Sequence, residues 1–481
     1  MNKIDEQHHK RRQSRNERKK ILDDVAQQSS KLGYVIVLVC ICIVIAGVFA
    51  TQQFTKRVAA VPTTKPINAI TASALSTFWT CPLSAGQNSD TLLLANPDRN
   101  RDAELEITSY DAAGALVGKT TRNVPQASSI EMPLSAVKGT TATSITVESI
   151  ASSIVVFRNM TLTDGTELVP CISRFYSRAV FPNLQTTRNS NSVLVLANPF
   201  DESIVVDITG NLQDTTIDPP RVVLDEIRGV IIPARGHVNV DLQAEFGRYN
   251  VVSAQISSRS GAFVAEALVT FSGADSIQGQ TVMAATDETT DTTAAYWAGV
   301  SPTRIVAYNT SNHTYSLQLD ALGFDKRSLS GELQSIAPGA GAVLDNVGTE
   351  LSTRLQTVTL QKGRRPAANI YISWLHGTKS AVSSGPSSTR LTERSFIPVT
   401  SADELSLYNP QRVSTTVTLS LYGTSEKQKV TLASGAYVAV NLDRFDIDKN
   451  AVIDVVSSHP IALGAADGTF TRYASGIEIQ P

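Results

Sequence analysis

The sequence has few residues of the kinds that build metal and redox sites. It holds four cysteines and six histidines in 481 residues. No two cysteines have the C-x-x-C spacing of zinc or dithiol sites, and the four histidines beyond the N-terminal region lie far apart. Glycine-rich phosphate loops, G-x-S-x-G elbows and H-E-x-x-H helices are also lacking. We therefore predict no catalytic, metal-binding or cofactor-binding residues, and no enzymatic activity.

Positive charge is scarce outside the N-terminus. Residues 1–31 contain nine Lys and Arg against five Asp and Glu, which leaves 33 against 39 in the rest of the chain. Phosphate binding requires clustered Lys and Arg, so no nucleic-acid partner is expected. The N-terminal excess is instead typical of the cytoplasmic flank of a membrane span.

Long apolar runs are absent with one exception, residues 32–50, which carry no charge. As a helix this run would be about 28 Å long, one bilayer crossing. We predict a basic cytoplasmic tail over residues 1–31, a transmembrane helix over 32–50 and a stalk linker over 51–75. The chain beyond would lie outside the plasma membrane. A cleaved signal peptide is the competing interpretation, because Val48-Phe49-Ala50 is similar to a cleavage site, but the length of the run favours retention.

Two cysteines, Cys81 and Cys171, follow the predicted span. An even number of cysteines in a compartment that permits oxidation favours a disulfide. Two buried free thiols are the alternative.

An apolar strand that ends in asparagine occurs four times beyond the predicted span. The asparagines are Asn96, Asn198, Asn309 and Asn409, at intervals of 102, 111 and 100 residues. A period near 100 residues is the size of one β-sandwich domain. We therefore predict an all-β fold of about four tandem immunoglobulin-like β-sandwich modules. Their predicted bounds are 76–180, 181–284, 295–379 and 393–481.

The segments after each asparagine alternate apolar and polar residues, as in residues 103–107, which is typical of strands with one buried face. No sustained helical period is present, so helices should be rare and short. A glycine is expected to break the strand after each asparagine, at Gly114, Gly210, Gly323 and Gly423. Asparagine can bond its own backbone two residues on, so we interpret the four asparagines as turn residues.

The second repeat carries extra chain around residues 214–228, including Pro219 and Pro220. We predict a loop insertion there, a feature through which a sandwich acquires a binding surface.

Three tryptophans, Trp79, Trp297 and Trp374, are the aromatic residues that could stack on sugar rings of a wall polysaccharide. Core filling is the more common use of tryptophan in a sandwich and is our first interpretation.

These features resemble an uncharacterised actinobacterial cell-envelope family with one N-terminal anchor. The residues that carry the resemblance are the basic tail, the single span, the Trp79-Thr80-Cys81-Pro82 segment and the L-x-L-x-Asn-Pro strands, although Thr310 replaces the proline in the third repeat. The resemblance implies an envelope location and no activity.

The sequence thus favours a non-enzymatic, membrane-anchored scaffold or recognition protein that binds wall polysaccharide or envelope proteins. Two alternatives remain open. One is an enzyme that acts on wall glycan at a site between modules, and the other is a signalling partner that acts through the basic tail.

Overall fold

The computed structural model describes the chain in segments separated by short gaps. These are residues 75–82, 91–137, 144–150, 152–163, 165–214, 221–272, 278–285, 294–298, 304–322, 328–344, 355–360, 370–377, 382–386, 391–399, 403–447, 450–467, 473–474 and 477–479. Contacts divide the chain into Met1–Ile70 and Thr71–Pro481. The predicted tail, transmembrane helix and nearly all of the predicted stalk lie outside the described residues. Of the helices that the structure describes, none is both long enough and apolar enough to cross a bilayer.

The first repeat forms two four-stranded antiparallel sheets. Its strands, A to H in chain order, are β1 (Phe78–Pro82), β2 (Thr91–Asn96), β3 (Ala103–Tyr110), β4 (Leu116–Val124), β5 (Ser128–Pro133), β6 (Ser144–Ser149), β7 (Val155–Leu162) and β8 (Gly165–Pro170). One sheet has the order A-F-C-D and the other the order E-B-G-H. We call this unit module 1.

Modules 2 and 3 have the same strand order in both sheets. The strands of module 2 are β9 (Arg178–Leu184), β10 (Ser190–Ala197), β11 (Ile204–Asp214), β12 (Arg221–Ile232), β13 (His237–Asp241), β14 (Val251–Ser258), β15 (Val264–Ser272) and β16 (Gln278–Ala284). Those of module 3 are β17 (Ala294–Ala298), β18 (Arg304–Asn309), β19 (Tyr315–Leu322), β20 (Ser328–Ile336), β21 (Gly341–Leu344), β22 (Leu355–Leu360), β23 (Ile370–Gly377) and β24 (Val382–Pro386).

Module 4 repeats this order with strands F and G joined into one long strand, β30, which belongs to both sheets. Its strands are β25 (Thr392–Val399), β26 (Asp403–Tyr408), β27 (Thr415–Leu421), β28 (Lys427–Leu432), β29 (Tyr437–Asn441), β30 (Ala451–Asp467), β31 (Tyr473–Ala474) and β32 (Ile477–Ile479). The prediction of an all-β chain with repeated sheets is confirmed.

Each module buries its own core between its two sheets. The alternation predicted for residues 103–107 is present, since Ala103, Leu105 and Ile107 are buried while Glu104 is exposed. Helices are short in the described part of the chain: a 3-10 turn at Leu134–Ala136 and helix α1 at Leu242–Phe246. Asp241 caps α1 by accepting a hydrogen bond from the Ala244 N–H.

Three details of the second and third repeats differ from the predictions. Gly210 does not break its strand, because β11 continues through it; a side chain there would meet the Phe246 ring at 2.8 Å, so the glycine makes room for α1. In the extra chain of module 2, residues 221–228 belong to strand β12, while residues 215–220, which include Pro219 and Pro220, lie outside the described residues. Module 3 extends beyond residue 379, because β24 pairs with β23 at the sheet edge, where backbone pairing needs little apolar sequence.

The four modules of the Thr71–Pro481 unit contact one another in a closed cycle. Strand A of each module packs against strands B and G of the next, as β1 does on β10 and β15, β9 on β18 and β23, and β17 on β26 and β30. The cycle closes where Phe396 of β25 packs with Leu93 of β2 and Phe157 of β7. The H strands β8, β16, β24 and β31 also meet in this cyclic order. We call this arrangement the ring.

Candidate functional site

The predicted disulfide is present and lies at the start of the ring. Cys81 of β1 is bonded to Cys171, which directly follows β8. Both cysteines belong to the buried core of module 1. The bond therefore ties the first and last strands of the module together across its two sheets.

Trp79 is a core residue and cannot stack on a ligand. It is 1% exposed, and its indole N–H donates to the carbonyls of Ile154 at 3.1 Å and Ser76 at 3.2 Å. The glycan-stacking interpretation is thus wrong at this position. The strand alternation explains why, because Phe78 next to it points outward and contacts the Phe175 ring instead. The side chains of Trp297 and Trp374 lie outside the described residues.

The four repeated asparagines form the same buried clamp in every module. Each is at most 1% exposed, and each side-chain carbonyl accepts the N–H two residues on at 3.0 Å. Each amide nitrogen also lies within hydrogen-bond distance of three backbone carbonyls, one in the B–C loop and two at the end of strand D. The turn interpretation is confirmed, because each of these buried side chains is bonded to the backbone of two loops. The twelve carbonyls belong to Arg101, Val124, Pro125, Glu202, Ile232, Pro233, His313, Ile336, Ala337, Val413, Leu432 and Ala433.

The turn between strands D and E has one left-handed residue at the same place in every module. Modules 3 and 4 use Gly339 and Gly435 there, whereas modules 1 and 2 use Ala127 at φ +48° and Arg235 at φ +59°. A side chain is strained in this conformation. The sequence pattern gave no sign of either non-glycine residue.

The side chain of Arg235, whose backbone is in the strained left-handed conformation, connects modules 1 and 2. Its Nε donates to Asp201 at 2.7 Å and its Nη1 to the Pro199 carbonyl at 2.6 Å. Its guanidinium also lies 5.9 Å from the ring centroid of Tyr110 in module 1. The side-chain hydrogen bond to Asp201 raises the pKa of Arg235 and lowers the pKa of the carboxyl. The contacts described for Arg235 are all with other residues of the chain, so they stabilise the fold.

A buried ion pair lies deeper in the same junction. Arg158 of β7 donates to Glu266 of β15, and both residues are at most 3% exposed. Burial raises the pKa of Glu266, while the charge and hydrogen bond of Arg158 oppose the shift. Among the described residues, Nε and Nη1 of Arg158 have no hydrogen-bond partner. The pair therefore makes this junction depend strongly on both charges.

No candidate metal centre or catalytic group emerges in the described part of the chain. No three His, Cys, Asp or Glu side chains are close enough there to hold a metal ion. His237 is 6% exposed, and burial lowers its pKa. His313 and His459 lie in other modules.

A further candidate surface is strand β12 of module 2. It is the outermost strand of its sheet, and within the part of the chain that the structure describes it pairs with β11 alone. Val222, Leu224 and Ile231 of this strand are exposed, at 51%, 68% and 61%. Strand D is shorter in the other modules, with nine residues in β4, nine in β20 and six in β28 against twelve in β12. An exposed strand edge with apolar side chains is a surface that another strand can join.

Comparison with known proteins adds no family. No protein-family model and no curated protein matches the chain. Among solved structures, the chain is similar to a glycoside hydrolase of family 32 from Bifidobacterium adolescentis, at 10% identity over 81% of this chain and 99% of that one, with a TM-score of 0.15. A TM-score this low carries no argument about fold or activity. The resemblance to an actinobacterial envelope family stays a prediction.

Proposed function

We propose that the chain is a non-enzymatic, membrane-anchored scaffold or recognition protein of the cell envelope. The observation that carries the proposal is the ring, in which module 4 packs back on module 1 through Phe396, Tyr422 and Val452. A closed cycle holds each module in a set position, as a scaffold that presents fixed surfaces requires. Wall polysaccharide or another envelope protein is the expected partner.

The disulfide supports an extracytoplasmic location. Disulfides persist in oxidising compartments and are rare in the cytosol. The Cys81–Cys171 bond is consistent with a ring outside the membrane and with the apolar run at residues 32–50 as its anchor. In this arrangement the N-terminal tail lies in the cytoplasm.

The finer description of the modules as immunoglobulin-like also belongs to the proposal. Pairing of strands B with E and C with F supports it. Strand G pairs with B rather than with F, and this departs from the immunoglobulin order.

Topology can be tested with single cysteines placed on the two sides of the membrane. We expect Asn100→Cys, at an exposed turn of module 1, to react with an impermeant maleimide in intact cells. Ser14→Cys in the tail should react only after lysis. The reverse pattern would contradict the extracytoplasmic location.

The scaffold role can be tested with the full chain in detergent, incubated with purified wall polysaccharide fragments and, separately, with solubilised envelope proteins. We expect saturable retention without turnover of any fragment, and turnover would instead indicate a glycan-acting enzyme. Phe396→Asp should open the ring and reduce retention. Val413→Asp, at a 50% exposed site in the same module, is the matched control. Equal retention by both variants would contradict a role for the closed ring.

A further inference from the structure

The outer edge of β12 is open over a stretch of defined length. Its register with β11 shifts between Val206 and Ile208, where Gly229 takes φ +71°. A bulge of this kind interrupts the edge for an incoming strand. In the sequence, Pro219 and Pro220 stand just before β12 and have no N–H to donate to a ladder. The window between these two interruptions is residues 221–227.

Two apolar side chains stand on one face of this window. Val222 and Leu224 are Cα partners of Gln213 and Asn211 in β11, and paired residues of an antiparallel ladder share a face. On that face the amides of Gln213 and Asn211 donate to the carbonyls of Gly341 and Gly339 in module 3. The exposed pair therefore continues an existing contact between modules.

The corresponding edge is guarded by lysine in two other modules. Strand β4 carries Lys119, and β28 carries Lys427 and Lys429, which discourage the approach of another strand. The β12 window contains no lysine, and its charged residues Arg221, Asp225 and Glu226 flank the apolar run Val222–Leu224. Its acidic Glu226 is already paired with Arg228 at 2.7 Å.

We propose that two copies of this chain pair antiparallel through residues 221–227 of β12. The window is centred on Leu224, so the pairing that uses its full length places Leu224 opposite Leu224 of the second copy. Val222 then lies diagonally from Leu224 across the two-fold axis, and the four side chains form one apolar cluster. In this register each residue faces a residue of the second copy that lies an even number of positions away in the sequence. The backbone N–H and C=O groups of two such residues point to the same side of the strand, so the two edges can form a regular antiparallel ladder.

Window length and charge together select this register over its two neighbours. An axis at Val223 would set Arg221 opposite Asp225 but would leave Glu226 and Ile227 of the window unpaired. With Leu224 on the axis, Asp225 faces Val223 and Glu226 faces Val222. Shifting the axis to Asp225 would set two aspartates directly opposite each other, which is destabilising. Because the contact is two-fold symmetric and uses up the edge, it stops at two copies. The two sheets join into one of eight strands.

The test measures the molar mass of the full chain in detergent over a range of concentrations, by sedimentation velocity. We expect a reversible monomer–dimer equilibrium. Leu224→Lys should raise its dissociation constant about tenfold or more, because the pairing would set two lysines directly opposite each other in place of the central apolar pair. The matched control is Ile231→Lys, on the same strand beyond the bulge and equally accessible. It should change the constant by less than about threefold. Thermal melting checks that both variants fold.

Cross-linking tests the register itself. Leu224→Cys should form a disulfide-linked dimer under mild oxidation, whereas Ile231→Cys should not. Wild-type chain that stays monomeric at every concentration would overturn the proposal. So would a dimer that Leu224→Lys leaves intact, or one that both lysine variants weaken equally. If the wild type is monomeric and Leu224→Lys alone loses a retained envelope protein, the edge takes a strand of that protein and not a second copy.

This pairing does not depend on what the ring binds. Loss of retention in the Phe396→Asp experiment with an intact dimer would bear on the scaffold function alone. Loss of the dimer with unchanged retention would bear on the β12 edge alone.

Discussion

At the scale of single residues, side chains in each module form the hydrogen bonds that loop backbone cannot form with a neighbouring strand. The buried asparagine at the end of strand B satisfies the backbone of the B–C loop and of the D–E turn at once. These loop groups have no strand partner, and a buried polar backbone group without a partner is costly. One amide side chain per module therefore holds two loops in place.

Replacing Asn198 by aspartate should test this clamp. The change keeps the shape but turns a donor of hydrogen bonds into an acceptor that faces three carbonyls. We expect the free energy of unfolding to fall by about 3 kcal/mol in denaturant titrations. The exposed Asn100→Asp should change it by less than about 0.5 kcal/mol. Similar losses in both variants would show that the buried contacts are not the cause.

The left-handed turn residue permits a matched pair of substitutions. Ala127→Gly should stabilise the protein by about 0.5 kcal/mol, since glycine removes the left-handed strain at some cost in entropy and in the packing of the Ala127 methyl against the cluster around Phe396. Gly339→Ala should destabilise it by about 1 kcal/mol, because nothing lies within 4 Å of the added carbon and only the backbone angle is affected. Calorimetric melting of both variants measures the two effects. Shifts of the same sign would contradict the explanation.

At the scale of elements, module 1 depends on its first and last strands. Strand β1 pairs with β6 in one sheet, and β8 pairs with β7 in the other. Both are edge strands of their sheets, and Thr80 of β1 also exchanges backbone hydrogen bonds with Ile172, just after β8. The Cys81–Cys171 bond connects these two strands across the core at the same place.

Removing this bond should loosen module 1 first. The variant Cys81→Ala with Cys171→Ala is expected to lose about 2–5 kcal/mol of stability. Hydrogen exchange should accelerate in β1 and β8 at denaturant concentrations that leave β26 and β27 of module 4 protected. Uniform acceleration across all modules would instead mean that the ring opens only as a whole.

At the scale of the whole molecule, stability resides in the contacts between modules as well as in the four cores. The H strands meet in cyclic order, and strand A of each module covers strands B and G of the next. Buried polar groups in these contacts favour this one arrangement of the modules, because they would lose their partners in another. Arg158 and Glu266 are the clearest case, because each leaves the other as an unpaired buried charge if it is removed.

A double-mutant cycle should separate the two roles of this pair. Arg158→Met alone is expected to cost about 3–5 kcal/mol, because Glu266 is left charged in the interior. The combined variant Arg158→Met with Glu266→Leu should recover most of that loss. Denaturant titrations of the full chain at neutral pH provide the measurement. A double variant as unstable as Arg158→Met would show that lost packing, rather than the unpaired charge, is the cause.

Local signals along the chain predicted the fold class, the repeat, the disulfide and the asparagine turns. Each depends on nearby residues or on composition, as the alternation in β3 shows. The prediction for Gly210 was wrong, and Trp79 follows the core-filling interpretation rather than the ligand-stacking alternative, because distant packing decides both. Phe246 requires the missing side chain of Gly210, and the core of module 1 takes up the indole.

The amino-acid sequence by itself determined that this chain builds repeated two-sheet units, because strand period, turn chemistry and a repeat near 100 residues are local properties. Only the tertiary structure decided that the units close into a ring. It also decided that the length and the exposed apolar side chains of β12 distinguish the outer edge of module 2. These outcomes depend on which surfaces of distant segments meet, and no local pattern specifies those contacts.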